Sequence, residues 1–153
     1  MALFLSTYVN KLDKKARISV PAQFRATLSA ESFQGLILFR SYKHASIEGC
    51  TMSRMERMSQ SIDSMDLFSD SQEDMASAIF ADAHQLPIDS DGRITLPQEL
   101  IEHAGLDTHV AFVGRGATFQ LWHPDVFAHT QANARNRMKI EKPTLKLSDT
   151  QKA

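Results

Sequence analysis

The sequence predicts an α+β fold: one strand-rich unit present twice, the two copies completing a single barrel-like sheet with pseudo-two-fold symmetry and flanking helices. Three observations predict it. The stretch DKKARISVPAQF over Asp13–Phe24 aligns with DSDGRITLPQEL over Asp89–Leu100, an offset of 76 residues. Four of the twelve positions are identical (Asp13/Asp89, Arg17/Arg93, Ile18/Ile94, Pro21/Pro97), where average residue usage gives about one chance match or fewer. The likeness continues in kind, Leu36–Phe39 with Val110–Val113 and Ile47–Cys50 with Phe119–Trp122. Finally, a unit of about 45 residues buries too little apolar surface to stand alone, so two copies in one chain imply a shared core.

Each copy decodes in the same order. A strand, about 3–9 or about 83–88, leads into a turn, and Gly92 supplies φ > 0 in the second copy. A short β-branched strand follows, Arg17–Val20 or Arg93–Leu96. Pro21 and Pro97 end that strand and open a short helix as its first residue. Phe24 and Leu28 share one side of the first helix, Leu100 and Ala104 one side of the second, and Gly105 suits a helix stop. Two further strands close each unit.

Between the copies, residues 52–80 read as helical, with Met52, Met55, Met58, Ile62 and Met65 spaced three or four apart. A second stripe, Met75 and Ile79, follows a break near Ser69 and Asp70. Such a methionine stripe packs a core or an interface. Another helix is predicted over about 124–138, with Pro124 at its first position. The resulting divisions are 1–51 for the first barrel half, 52–81 for a helical connector, 82–138 for the second half with its helix, and 139–153 for a flexible polar tail.

Composition excludes several classes. The 153 residues are 42% hydrophobic and 23% charged, as in a soluble globular protein. No apolar run approaches the roughly 20 residues of a membrane span, and the N-terminus lacks a basic n-region and an apolar h-region. Cys50 is the single cysteine, so no internal disulfide or CxxC pair exists, and a reducing cytosol is the expected compartment. Net charge is −1, but it is unevenly spread: +5 over residues 1–54, −8 over 55–91 and +2 over 92–153. A basic region is thus set apart from an acidic one.

The repeated Asp-x-x-[Ala/Gly]-Arg, with proline four residues after each arginine, resembles the MraZ family. Residues Asn10–Arg25 look like that family's opening motif. Ile88–Pro97, His103–Leu106 and Gln120–Trp122 look like its second half. The resemblance covers residues 1 to about 138. It implies the swapped-hairpin barrel of AbrB-like regulators, with both halves in one chain. It also implies a bacterial transcriptional regulator, cytoplasmic and nucleoid-associated, encoded with division and cell-wall genes. Such regulators bind short direct repeats in double-stranded promoter DNA, usually repress that cluster, and assemble as closed homo-oligomeric rings. Ala16 departs from the pattern, standing where the family usually has glycine; if φ > 0 is needed there, alanine costs about 1 kcal/mol or more and the two turns differ.

The candidate DNA-binding residues are Asp13, Lys14, Lys15, Arg17, Asp89 and Arg93. A carboxylate opening a tight turn accepts backbone N–H groups and fixes the loop. The arginine four residues later pairs with it or reaches outward, where its planar fork neutralises phosphate or reads guanine. Lys14 and Lys15 make the first turn a compact cationic cluster. In the second turn Ser90 and Asp91 replace them, and Asp91 repels phosphate. The first loop is therefore expected to carry most of the contact, with Arg93 secondary and largely structural. The structural alternative, a hairpin turn with an exposed ion pair, is worth about 0–1 kcal/mol.

An enzyme is the competing class. The six histidines make no HExxH or comparable spacing, no GxSxG elbow is present, and Cys50 lies in an apolar run and is expected to be buried. No catalytic residue, cofactor, metal site or small-molecule substrate is expected. A ring-forming structural or adaptor protein without sequence-specific DNA binding is the other reading.

Overall fold

A computed structural model describes residues 3–147. Eight strands and five helices follow in order: β1 Thr7–Lys11, β2 Arg17–Ser19, α1 Ala22–Thr27, β3 Gly35–Arg40, β4 Ile47–Cys50, α2 Met52–Asp63, α3 Asp70–Ile79, β5 His84–Pro87, β6 Arg93–Thr95, α4 Gln98–His103, β7 His109–Gly114, β8 Phe119–Trp122 and α5 Pro124–Glu141. Six strands form one antiparallel sheet in the order β1-β7-β8-β4-β3-β5, while β2 and β6 form a separate two-stranded ribbon.

The duplication is visible in the pairing itself. Exchanging each strand for its repeat partner leaves the strand order unchanged. It also preserves register: the offset of 76 carries Arg17↔Thr95 onto Ser19↔Arg93, and both pairs occur. Asn10↔Val110 and Leu36↔Leu86 correspond in the same way, as do Ile47↔Leu121 and Gly49↔Phe119. Only the connections before β7 and β8 are shorter in the second copy. Each half lends its first strand to the other, β1 to β7 and β5 to β3.

The expected barrel is not closed. β1 and β5 are open edges of the large sheet, and the ribbon pairs only with itself. The reason is local. The turns at Asp13 and Asp89 redirect the chain out of the sheet, and the three-residue strands that follow are too short to bridge back to an edge. These turns are therefore corners between two sheets and not hairpins, since β1 and β2 have different partners.

Side chains fill the space between sheet and ribbon. Ile18 and Ile94, directly opposed in the ribbon, point inward with Val20 and Leu96. Phe24 of α1 and Leu100 of α4 are fully buried and meet Phe112 and Phe119 of the sheet. Phe24 stands at the centre, its ring 5.1 Å from Phe4, 5.4 Å from Phe119, 5.8 Å from Tyr8 and 6.0 Å from Phe112. These offset and edge-on geometries are the ones aromatic quadrupoles favour.

The sheet's other face is covered unevenly. Over the first half, Ile37, Phe39 and Cys50 pack against Met55, Ile62 and Ile79 of α2 and α3, which gives the methionine stripe its packing role. Thr51 and Ser69 cap these two helices through their side-chain oxygens. Over the second half, Ala111, Val113 and Trp122 pack against Phe127 of α5, and the His44 ring lies 5.4 Å from that of Trp122.

Three boundaries differ from the sequence reading. Pro21 and Pro97 are N-cap residues, one position before their helices, because each still has extended backbone. β1 starts at Thr7, after Ser6 turns the chain with φ +71°. α5 runs on to Glu141 and stops where Lys142 takes a left-handed conformation; of the expected tail, residues 148–153 lie outside the described residues.

Candidate nucleic-acid interface

The ribbon brings the two motifs onto one surface. Strand alternation buries Ile18 and Ile94 and turns Arg17, Ser19, Arg93 and Thr95 outward. Antiparallel pairing sets the two arginines at diagonal corners and the two turns at opposite ends of the ribbon.

The first turn is built on Asp13. Its Oδ1 accepts from the backbone N–H of Lys15 at 2.9 Å and of Arg17 at 2.8 Å. Its Oδ2 accepts from Arg17 Nε at 2.9 Å. The Ala16 N–H donates to the Asp13 carbonyl and the Asp13 N–H to the Arg17 carbonyl, both at 3.0 Å. The Arg17 backbone N–H, above all, holds the Asp13 carboxyl below its ordinary value, aided by the Arg17 side chain. Lys14 and Lys15, at the crest of the turn, are exposed. Among the described residues neither has an ion-pair partner, and nothing accepts from the terminal nitrogens of Arg17.

The second turn repeats the frame. Asp89 Oδ1 accepts from the N–H groups of Asp91 and Arg93, each at 2.9 Å, and the Arg93 N–H is the main cause of its lowered pKa. The side chains diverge. Arg93 Nε lies 3.5 Å from Asp89 without a hydrogen bond, and Nη2 turns to Asp91 at 3.0 Å. Arg93 is thus shared between two carboxylates, whereas Arg17 is held by one.

Ala16 does not make the turns differ. It takes φ +63° against +78° for Gly92, so the first turn keeps its shape and carries the strain of a β-carbon in the left-handed region, about 1–2 kcal/mol. The expectation of a different first turn is corrected accordingly.

One cation was missed by the sequence reading. Arg25, in the last turn of α1, donates from Nε to the Val20 carbonyl at 3.1 Å. This lays its guanidinium over the second turn, where a β-carbon on Gly92 would stand 2.9 Å from Nη1. The first turn and its arginine carry +2, the second −1, and Arg25 brings the second to zero. The repeat gave no signal for this, since the equivalent position holds Ile101.

Comparison with known proteins follows the same line. A family model described as "MraZ protein, putative antitoxin-like" matches residues 79–148. The transcriptional regulator MraZ of Pelagibacter ubique is 42% identical over 144 residues, covering 94% of this chain and 93% of that protein. Its namesake from Rickettsia canadensis is 42% identical over 142 residues, 93% of this chain and 95% of that protein. That from Rickettsia akari reaches 44% over 127 residues, 83% and 85% of the two chains. Identity at this level, extending over both turns and both halves, shows that the chain belongs to the MraZ family.

Proposed function

We propose that this protein is a bacterial sequence-specific DNA-binding transcriptional regulator, a repressor of the division and cell-wall gene cluster that encodes it, working at the nucleoid by binding and without chemistry. The observation that carries the reading is the first turn. Asp13 fixes the backbone and one edge of Arg17, leaving Lys14, Lys15 and the terminal nitrogens of Arg17 directed at solvent on an outward surface. Lys14 and Lys15 neutralise phosphates, and Arg17 supplies a planar fork for a base edge or a phosphate. Asp13 and Asp89 hold the turns. Arg93 and Arg25 form the weaker second contact, their charge offset by Asp89 and Asp91.

One such turn binds weakly at physiological salt. Copies of the chain assembled in a ring present several turns to successive direct repeats, and effective concentration supplies avidity without new contacts. The two halves of each chain then correspond to swapped-hairpin units of the AbrB-like kind, fused.

The test is fluorescence anisotropy on a duplex carrying the region upstream of the chain's own gene, titrated against salt. Regulator function requires binding that falls steeply with salt and prefers that duplex over a scrambled one. Absence of salt-dependent binding by an assembled particle favours the structural or adaptor role.

A further inference from the structure

We propose that the cleft beneath α2 and α3 binds a small amphipathic monocarboxylate, its head on Arg54 and its apolar chain between the two helices. The site is separate from the ribbon and does not depend on the DNA reading. α2 and α3 lie over the first half of the sheet without closing on it. Two recesses open between them, of about 200 and 250 Å³. The recesses adjoin, since Arg54, Met58, Met75 and Ile79 line both. Together they come within the roughly 300–1,000 Å³ of small-ligand pockets.

The walls suit an apolar chain. Phe39 and Cys50 of the sheet line the larger recess, with Met58 of α2 and with Met75 and Ile79 of α3. Flexible, polarisable thioethers adapt to chains of varied shape. Burial pushes the Cys50 thiol up to about 12, so it adds no charge to this wall.

Arg54 supplies the polar end. It stands in the first turn of α2. Its Nε is shut off from solvent and has no acceptor, and its guanidinium has no ion-pair partner among the described residues. Two carboxylates close by are engaged elsewhere. Glu31 accepts from the backbone N–H of Ser53 at 3.1 Å and from its hydroxyl at 2.8 Å. Glu48 accepts from Gln120 Nε2 at 3.0 Å. Arg57, which lines the smaller recess, is likewise without an ion-pair partner among the described residues. A cation drawn partly out of water without a counter-charge is costly. A ligand carboxylate answers it by accepting two parallel N–H bonds from the guanidinium fork. Glu48 also lines the larger recess and repels a second acid group there. The ligand class is therefore a monoacid with an unbranched or aromatic apolar body.

Methyl NMR on the full chain, isotope-labelled at its seven methionines, tests this with decanoate and decanol as probes. Decanoate below its micelle concentration is expected to shift the Met58 and Met75 signals saturably and to leave Met138, at the far end of α5, unmoved. Decanol has the same chain without the charge and is expected to bind about ten-fold more weakly or worse. Arg54→Met is expected to weaken decanoate by a similar factor and to leave decanol binding unchanged. Absence of a saturable shift at Met58 and Met75 in the parent would overturn the site, and a neighbouring copy filling the cleft would show itself in this way. Decanol binding as tightly as decanoate would overturn the role of Arg54, as would a folded Arg54→Met with parental affinity for decanoate. Should Arg54→Met fail to fold, the comparison of the two probes on the parent still decides.

Discussion

Arg25 lies across Gly92, its guanidinium within 2.9 Å of where a β-carbon would sit. A side chain from the first half thereby covers a turn of the second. Gly92 also needs φ +78°. The flexible arginine tip yields easily, so backbone strain decides the outcome. Gly92→Ala is expected to cost up to about 1.5 kcal/mol in urea unfolding, the left-handed strain of about 1–2 kcal/mol less the unfolded-chain freedom of about 0.4–1 kcal/mol that alanine removes, even in an Arg25→Ala background.

The mirror experiment is Ala16→Gly. It relieves the left-handed strain at φ +63°, about 1–2 kcal/mol, and adds unfolded-chain freedom worth about 0.4–1 kcal/mol. A net gain of up to about 1.5 kcal/mol in chemical unfolding is expected.

Binding should separate the cations. Lys14→Ala and Lys15→Ala are each expected to weaken operator affinity evenly across sequences and to lower the log–log salt slope by about 0.9 for each phosphate no longer neutralised. Arg17→Ala is expected to lose more and to relax sequence preference; Arg25→Ala is expected to lose less than either lysine variant. Anisotropy titrations at several salt concentrations read all four. Unchanged operator affinity in folded Arg17→Ala would sink the site assignment.

Acid should loosen the turns. Asp13 and Asp89 are held below the ordinary 3.8 by the backbone N–H groups of Arg17 and Arg93. A lowered folded pKa means stability fully present above about pH 4 and lost as pH falls through the folded value. Parent protein and Asp13→Asn should therefore differ in melting temperature at pH 7 and converge towards pH 2.

Cys50 gives a probe of global opening. Burial pushes its thiol up to about 12, so labelling by a thiol reagent at pH 8 should be slow until denaturant unfolds the chain. In the core, Phe24→Ala is expected to cost about 3–5 kcal/mol by the same denaturant titration, since four aromatic rings would lose their common neighbour.

The repeat made much of this legible. Aligning Asp13 with Asp89 and Pro21 with Pro97 located the turns, the ribbon strands and both short helices, because each needs particular residue chemistry at a fixed offset. Long-range partners were not legible. Nothing in Thr7–Lys11 tells that it pairs with His109–Gly114 rather than with the strand that follows, so the open sheet and the corner character of the turns came only from the structure. Arg25 was missed for a related reason. Its role depends on reaching a glycine 67 positions away, and local spacing carries no trace of that.

The cross-pairing of the halves also sets an order of events during synthesis. Thr7–Lys11 waits for His109–Gly114, and Arg17–Ser19 waits for Arg93–Thr95, so a nascent chain lacking its last third leaves β1 unpaired, and one that ends before Arg93 leaves β2 unpaired as well. The ribbon carrying both arginines comes together only once the second turn has left the ribosome, and a prematurely terminated product would be a proteolysis substrate with no competent surface to occupy a promoter.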